Sequence, residues 1–243
     1  MYNLFLFLLG TCIGSFLNVC IYRIPEGQSI IYPPSSCPNC KKRIPILYLI
    51  PVIGYFLTKG SCFNCGEKIS PIYPLIELLG GILALITFNF STSWIEGIIY
   101  YNLFMVLVAI TVIDLRTMTI PDLFNIYLIL AYFPYLLYKG LYSHFLSAIL
   151  FFTAFFLIAV VSKGGMGGGD IKLAFTLGLY LGIAKGIVAV LLAFFIGGVI
   201  GTFLLLKGES RKKAIPFGPY LSLGTIVAYF LGERLIFLYF SFF

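Results

Sequence analysis

Two sets of residues in this chain have the type and spacing to do chemistry. The first is the aspartates, of which there are only three, Asp114, Asp122 and Asp170, each at the edge of a long apolar run. Two carboxylates from different helices suit peptide hydrolysis, because an ionised group can activate water while a protonated partner donates to the carbonyl oxygen. Asp122 follows Pro121 and reads as a helix N-cap. Asp114 ends an apolar run, where a carboxylate opposes the helix dipole, so a purely structural role would have to lean on Arg116 or on solvent. Asp170 stands behind Gly167, Gly168 and Gly169 in "SKGGMGGGDIKLAF" (162–175). It could cap a helix, but the apolar run 173–184 is too short to cross a bilayer of roughly 30 Å alone and must borrow residues from the loop side, drawing Asp170 below the surface. The glycines there are expected to admit a close backbone and to take positive φ. The segment matches neither dinucleotide nor P-loop spacing, and no βαβ unit surrounds it.

The second set is Cys37, Cys40, Cys62 and Cys65, two C-x2-C pairs separated by 21 residues. This layout suits four thiolates converging on Zn²⁺ from two knuckles, in a structural site without an open coordination position. Two disulfides or free thiols are the alternatives, and a reducing compartment disfavours the former. Cys12 and Cys20, inside an apolar run, read as small fillers.

These residues must be positioned by membrane helices. The chain is 60% hydrophobic and 10% charged, with a mean hydropathy of +1.04, against roughly 25% charge in soluble domains. An all-α polytopic membrane protein of about eight transmembrane helices is expected. Seven spans fall near 2–22, 73–90, 95–113, 123–138, 145–162, 186–206 and 214–232, and the short run 173–184 makes an eighth. The first has no Lys or Arg before it and exceeds a signal peptide's apolar length, so it is expected to stay as a helix. Of 16 Lys and Arg, 13 fall in loops 23–72, 114–122, 163–172 and 207–213, which places those loops in the cytoplasm and the active site on that face. The net charge of +7 is then a topology signal; nucleic acid is rejected as a partner, while Arg211, Lys212 and Lys213 could touch anionic membrane lipid.

Three regions follow: a first helix over 1–22, a hydrophilic insert over 23–72 holding the cysteines, and a membrane-embedded region over 73–243. Ser15, Asn18 and Tyr22 share a side of the first helix with Gly10 and Gly14, a pattern that suits helix packing. His144 reads as a solvated residue of a short outer loop and Trp94 as an interfacial anchor. A proton-coupled transporter would also keep intramembrane carboxylates, but tends to place them within an internal repeat, and none is visible.

The chain resembles the bacterial type IV prepilin peptidases over nearly its whole length. The resemblance is carried, in that family's order, by "GSFLNVCIYRIP" (14–25), "CPNC" and "CFNC", "ISPIYPLIELLGG" (69–81), "DLRTMTIPD" (114–122), "MGGGDIKL" (166–173) and "PFGPYL" (216–221). It implies that Asp114 and Asp170 are the catalytic aspartates, the latter in a G-x-G-D element with Gly167, Gly168 and Gly169. It further implies a prepilin or pseudopilin substrate cleaved at the cytoplasmic face of the bacterial inner membrane. Members with the cysteine insert commonly also N-methylate the new terminus with S-adenosylmethionine, although no residues that would bind this methyl donor are identifiable. Presenilin-type aspartyl proteases, the other enzyme reading, lack such an insert. Nothing in the sequence specifies an oligomeric state.

Overall fold

The computed structural model describes residues 1–210 and 214–241; the basic run Arg211, Lys212 and Lys213 lies outside the described residues. The described residues are nearly all helical and contain no strand, only two isolated bridges. The helices are α1 (Tyr2–Arg23), α2 (Ile53–Leu57), α3 (Ile72–Phe90), α4 (Trp94–Thr117), α5 (Asp122–Lys139), α6 (Tyr142–Val161), α7 (Gly168–Leu206) and α8 (Gly218–Phe240). They form two compact units, 1–109 and 110–243.

In the first unit α1 and α3 pack antiparallel through small residues. A Cβ added to Gly14 would lie 2.7 Å from Glu77 Cα, and Gly10 meets Gly80 and Gly81. The buried Asn18 donates through Nδ2 to the Tyr73 carbonyl at 3.1 Å, and Tyr22 stacks on Tyr73 with centroids 5.0 Å apart. Such contacts replace the missing hydrophobic drive between helices in lipid. Cys20 is buried as a filler, but Cys12 is exposed.

In the second unit α7 is a helical run of 39 residues interrupted at Gly182 (φ 68°, ψ −172°). An unbroken helix of that length would span roughly 58 Å, nearly twice a bilayer core. Gly178 faces Ala148 of α6 and Gly182 faces His144, whereas after the break Gly186 faces Phe151 and Phe194 lies 6.1 Å from Phe155. The α6 partners descend in number and then ascend, so the run turns back on itself at Gly182. A left-handed φ of this kind falls to glycine because it has no Cβ to clash.

His144 is therefore no solvated loop residue. It lies in the first turn of α6, half-buried, with Nδ1 2.8 Å from the Leu179 carbonyl and 3.2 Å from the Tyr132 hydroxyl. A carbonyl only accepts, so Nδ1 carries the proton. The reversal brings α6 and α7 together here, a contact that apolar patterning does not report.

Among the described residues, six helices are long and apolar enough to cross a membrane: α1, α3, α4, α6, α7 and α8. The expected count of about eight meets these six. The run expected over 123–138 is helical as α5 but is not among them, because Asp122, Asn125, Pro134, Lys139 and its tyrosines dilute its hydropathy. The division expected at Lys185 falls instead at Gly182, and Lys185 sits inside α7 with Nζ 2.9 Å from Glu233 of α8. The last helix starts at Gly218 and runs to Phe240, later than the expected 214–232.

Candidate active site and metal centre

Asp114 lies in the last turn of α4 and is 4% exposed, which removes solvent as its support. Its Oδ2 accepts the backbone N–H of Gly218 at 2.9 Å. Gly218 is the first residue of α8, followed by Pro219, so its N–H is one of the donors a helix start leaves free. The unfavourable carbonyl end of α4 is thus answered by the favourable amide end of α8. A side chain at Gly218 would put Cβ 2.8 Å from that same carboxylate oxygen, so the approach requires glycine. Sequence reading did not assign Gly218 a role; the signal available was the Pro-Phe-Gly-Pro stretch of "PFGPYL" ahead of an apolar run.

Asp170 is the third residue of α7, and the N-cap is Gly167. It is therefore not a cap itself: its carboxylate reaches back to the Gly167 N–H, the half of a capping box that an acidic third residue supplies. Gly167 has φ −70°, and positive φ in this loop occurs at Lys163 and Gly164, not at Gly167, Gly168 or Gly169. The expected left-handed backbone is thus displaced by several residues, because the helix already begins at Gly168. What Gly169 contributes is room, since a Cβ there would lie 2.9 Å from Ile120 Cβ. Ile120 also borders Gly218, at 3.3 Å from a Cβ built there, so one side chain wedges between the segments carrying Asp170 and the partner of Asp114.

Asp114 acts electrostatically on Asp170. Asp170 Oδ1 is enclosed and has no hydrogen-bond partner among the described residues. A buried carboxylate oxygen left open in this way has a place for a donor, and beside a second carboxylate that donor is suitably a water to be activated.

Asp122 departs from its expected role. Pro121 is the N-cap of α5 and makes no side-chain cap bond, while the Asp122 carboxylate holds Lys172 Nζ with both oxygens at 2.7 Å. The partner comes from the first turns of α7, a tertiary choice that local cap chemistry does not anticipate. Both side chains are more than half exposed.

The four cysteines of the insert converge: their sulfurs all lie within 4.8 Å of one another, with Cys37–Cys65 at 3.8 Å and Cys40–Cys62 at 4.0 Å. All are free thiols. Thiolates about 2.3 Å from a tetrahedral Zn²⁺ stand about 3.8 Å apart, so the set fits such an ion. The knuckles repeat one geometry. Each is closed by a bridge, Ser36 with Arg43 and Ser61 with Lys68, and each has a positive φ after its second cysteine, at Lys41 and Gly66. Amides of Cys65 and Asn64 point at Cys62 sulfur and hold its thiol down to about 6, as a thiolate ligand requires. Asn39 bonds Glu67 and Lys42 bonds Asn64, cross-linking the knuckles.

Comparison with known proteins gives the same two-part division. Residues 8–90 match the bacterial peptidase A24 N-terminal domain, and residues 101–202 match the type IV leader peptidase family. The chain is 34% identical over 245 residues to a prepilin leader peptidase/N-methyltransferase of Bacillus subtilis (strain 168), covering 96% of each. Proteins of the same name from Neisseria gonorrhoeae (34% identical; 88% of this chain, 85% of the relative) and Aeromonas salmonicida (31%; 97% and 92%) are also similar. No solved structure matches.

Proposed function

The chain belongs to the type IV leader peptidase family, and from that premise we propose that Asp114 and Asp170 are the pair with which it hydrolyses its substrate. It is an integral membrane enzyme of prepilin leader cleavage and N-methylation. One aspartate, ionised, takes a proton from a water while the other, protonated, donates to the scissile carbonyl; collapse of the diol returns a proton to the leaving amine. The observation that carries this reading is the enclosed, unpartnered Oδ1 of Asp170 beside Asp114. Gly218 fixes the Asp114 carboxylate through its amide, and Gly167 that of Asp170. Of the glycines at 167–169, Gly168 faces open space, a Cβ there meeting nothing within 4 Å, and this supports the approach of a substrate backbone at that point.

The substrate is a prepilin or pseudopilin whose basic leader lies in the cytoplasm ahead of a membrane-held helix. The basic loops support a bacterial inner-membrane location with the aspartates facing the cytoplasm. Residues 1–22 act as the first helix, 23–72 as the metal-bearing insert and 73–243 as the protease region. Cys37, Cys40, Cys62 and Cys65 hold one Zn²⁺, which supplies folding stability to the insert. S-adenosylmethionine is the methyl donor; no residue here is assigned to it. Incubating the purified enzyme with prepilin, with and without S-adenosylmethionine, tests the reading: cleavage must occur in both samples and methylation only with the donor. A well-folded Asp170→Asn variant cleaving at the wild-type rate would overturn it.

A further inference from the structure

The cysteine insert exposes a set of side chains that neither metal binding nor cleavage uses. Between the knuckles, a 3-10 turn (Ile46–Leu49) and α2 carry Ile46, Leu47, Ile53, Phe56 and Leu57, and the second knuckle carries Phe63, every one more than half exposed. Ile53, Phe56 and Leu57, at i, i+3 and i+4, share one face of the short helix; buried Gly54 packs instead against Tyr48. Tyr48 in turn holds Phe63, with ring centroids 5.1 Å apart. The patch is thus built into the insert's small core and is not a frayed loop. Uncovered in water, so contiguous a set would be a liability.

Depth is set by a hydrogen bond. Val52, the N-cap of α2, donates its N–H to Glu77 Oε2 at 2.7 Å. Glu77 lies five residues beyond Ile72, the first residue of the apolar helix α3, and therefore about 7.5 Å along it. The patch is held beside the second turn of a membrane helix; with Ile72 at the membrane surface, that distance matches the roughly 5–10 Å depth to which interfacial helices sink. Where the second knuckle joins α3, a cleft of about 570 Å³ is lined by Tyr55, Lys59, Ser61, Lys68, Ser70 and Pro71. Both lysines are exposed. Cations and hydroxyls beside an apolar face complement a lipid phosphate over its acyl chains.

We propose that residues 46–63 are an interfacial anchor, seated in the leaflet beside the first turns of α3 with the lysine cleft taking the headgroup of an anionic phospholipid. The bilayer is favoured as the occupant because the patch is tied to a membrane helix and its rim is basic. The insert then rides on the membrane, with its knuckles anchored at the surface from which the substrate's helix emerges.

The test uses the full chain, whose only tryptophan is Trp94. In a Trp94→Phe background, Phe56→Trp and, separately, Phe63→Trp are reconstituted into vesicles of phosphatidylcholine and phosphatidylglycerol. Lipids brominated high on the acyl chain should quench both reporters several-fold more than aqueous iodide does. Replacing phosphatidylglycerol by phosphatidylcholine, or introducing Lys59→Glu with Lys68→Glu, should raise iodide access several-fold. Iodide quenching with no bromolipid quenching would overturn the anchor, as would quenching by neither, which would mean that protein covers the patch: a second copy, the substrate or another part of the chain. Indifference to both charge changes would overturn the anionic headgroup. Zinc content reports that each variant retains its knuckles.

Discussion

The cysteine cluster and the aspartate site are built in opposite ways. Each knuckle closes within eight residues, Ser36 to Arg43 and Ser61 to Lys68, through its own turn. The aspartate site is closed by a bond spanning 104 residues, from Gly218 to Asp114, and by contact of Ile120 with Gly169. A locally closed site tolerates change elsewhere in the chain and fails when a ligand is lost. A site closed by tertiary packing fails whenever the helices that carry it shift, even with every functional group intact.

The largest expected effect removes a carboxylate. Asp114→Asn and Asp170→Asn should each lower cleavage by about 10²- to 10⁴-fold, the usual worth of general acid–base catalysis, with binding of uncleaved prepilin retained. On the proposed pairing, in which the two share one water, the double variant should be little worse than either single one. Additive losses in the rate of leader removal would separate the pair.

Gly218→Ala should come next. Its Cβ would stand 2.8 Å from Asp114 Oδ2, and displacing a catalytic group by about 1 Å costs on the order of 10²-fold. The metal content should not change, and kcat should fall more than KM rises. An unaltered kcat would show that Asp114 does not depend on the α8 amide.

At the other site, Cys37→Ser should abolish binding of one zinc per chain and expose residues 23–72 to protease, impairing methylation at least as much as cleavage. The loss is steep because binding energy here is folding energy. Metal analysis with limited proteolysis checks this, and an intact, metal-free wild-type insert would break the contrast between the two regions. The smallest effect is reserved for Asp122→Asn. Its ion pair with Lys172 is more than half exposed on both sides and is worth about 0.2–1 kcal/mol. Thermal unfolding should register that loss while cleavage stays within a few-fold.

The same contrast explains what could be read beforehand. Cysteine spacing is a local code, and it pointed to a cluster that the structure brings within metal-binding distance. Apolar runs likewise marked the helices, because lipid demands long uncharged segments. Asp114 could be singled out as a carboxylate lacking an obvious support, but Gly218 could not be paired with it, since nothing local encodes a contact between two helix ends. Asp122 and His144 were misread for the same reason: Lys172 and Leu179 reach them from α7. The reversal at Gly182 was displaced to Lys185 because charge was the only visible interruption, whereas a positive φ costs glycine nothing and leaves no mark in hydropathy.

That reversal decides a question of parity. Because α7 turns back on itself, the chain leaves it at Leu206 on the same end of the unit at which it entered at Gly168. The following helix consequently starts on the side of Asp170, so that the Gly218 amide can reach Asp114. With an odd passage in place of an even one, that amide would emerge at the opposite end and every later residue would change sides. The backbone of a single residue, remote from either carboxylate, thus sets the direction in which the chain leaves α7 and determines which helix end the two aspartates meet.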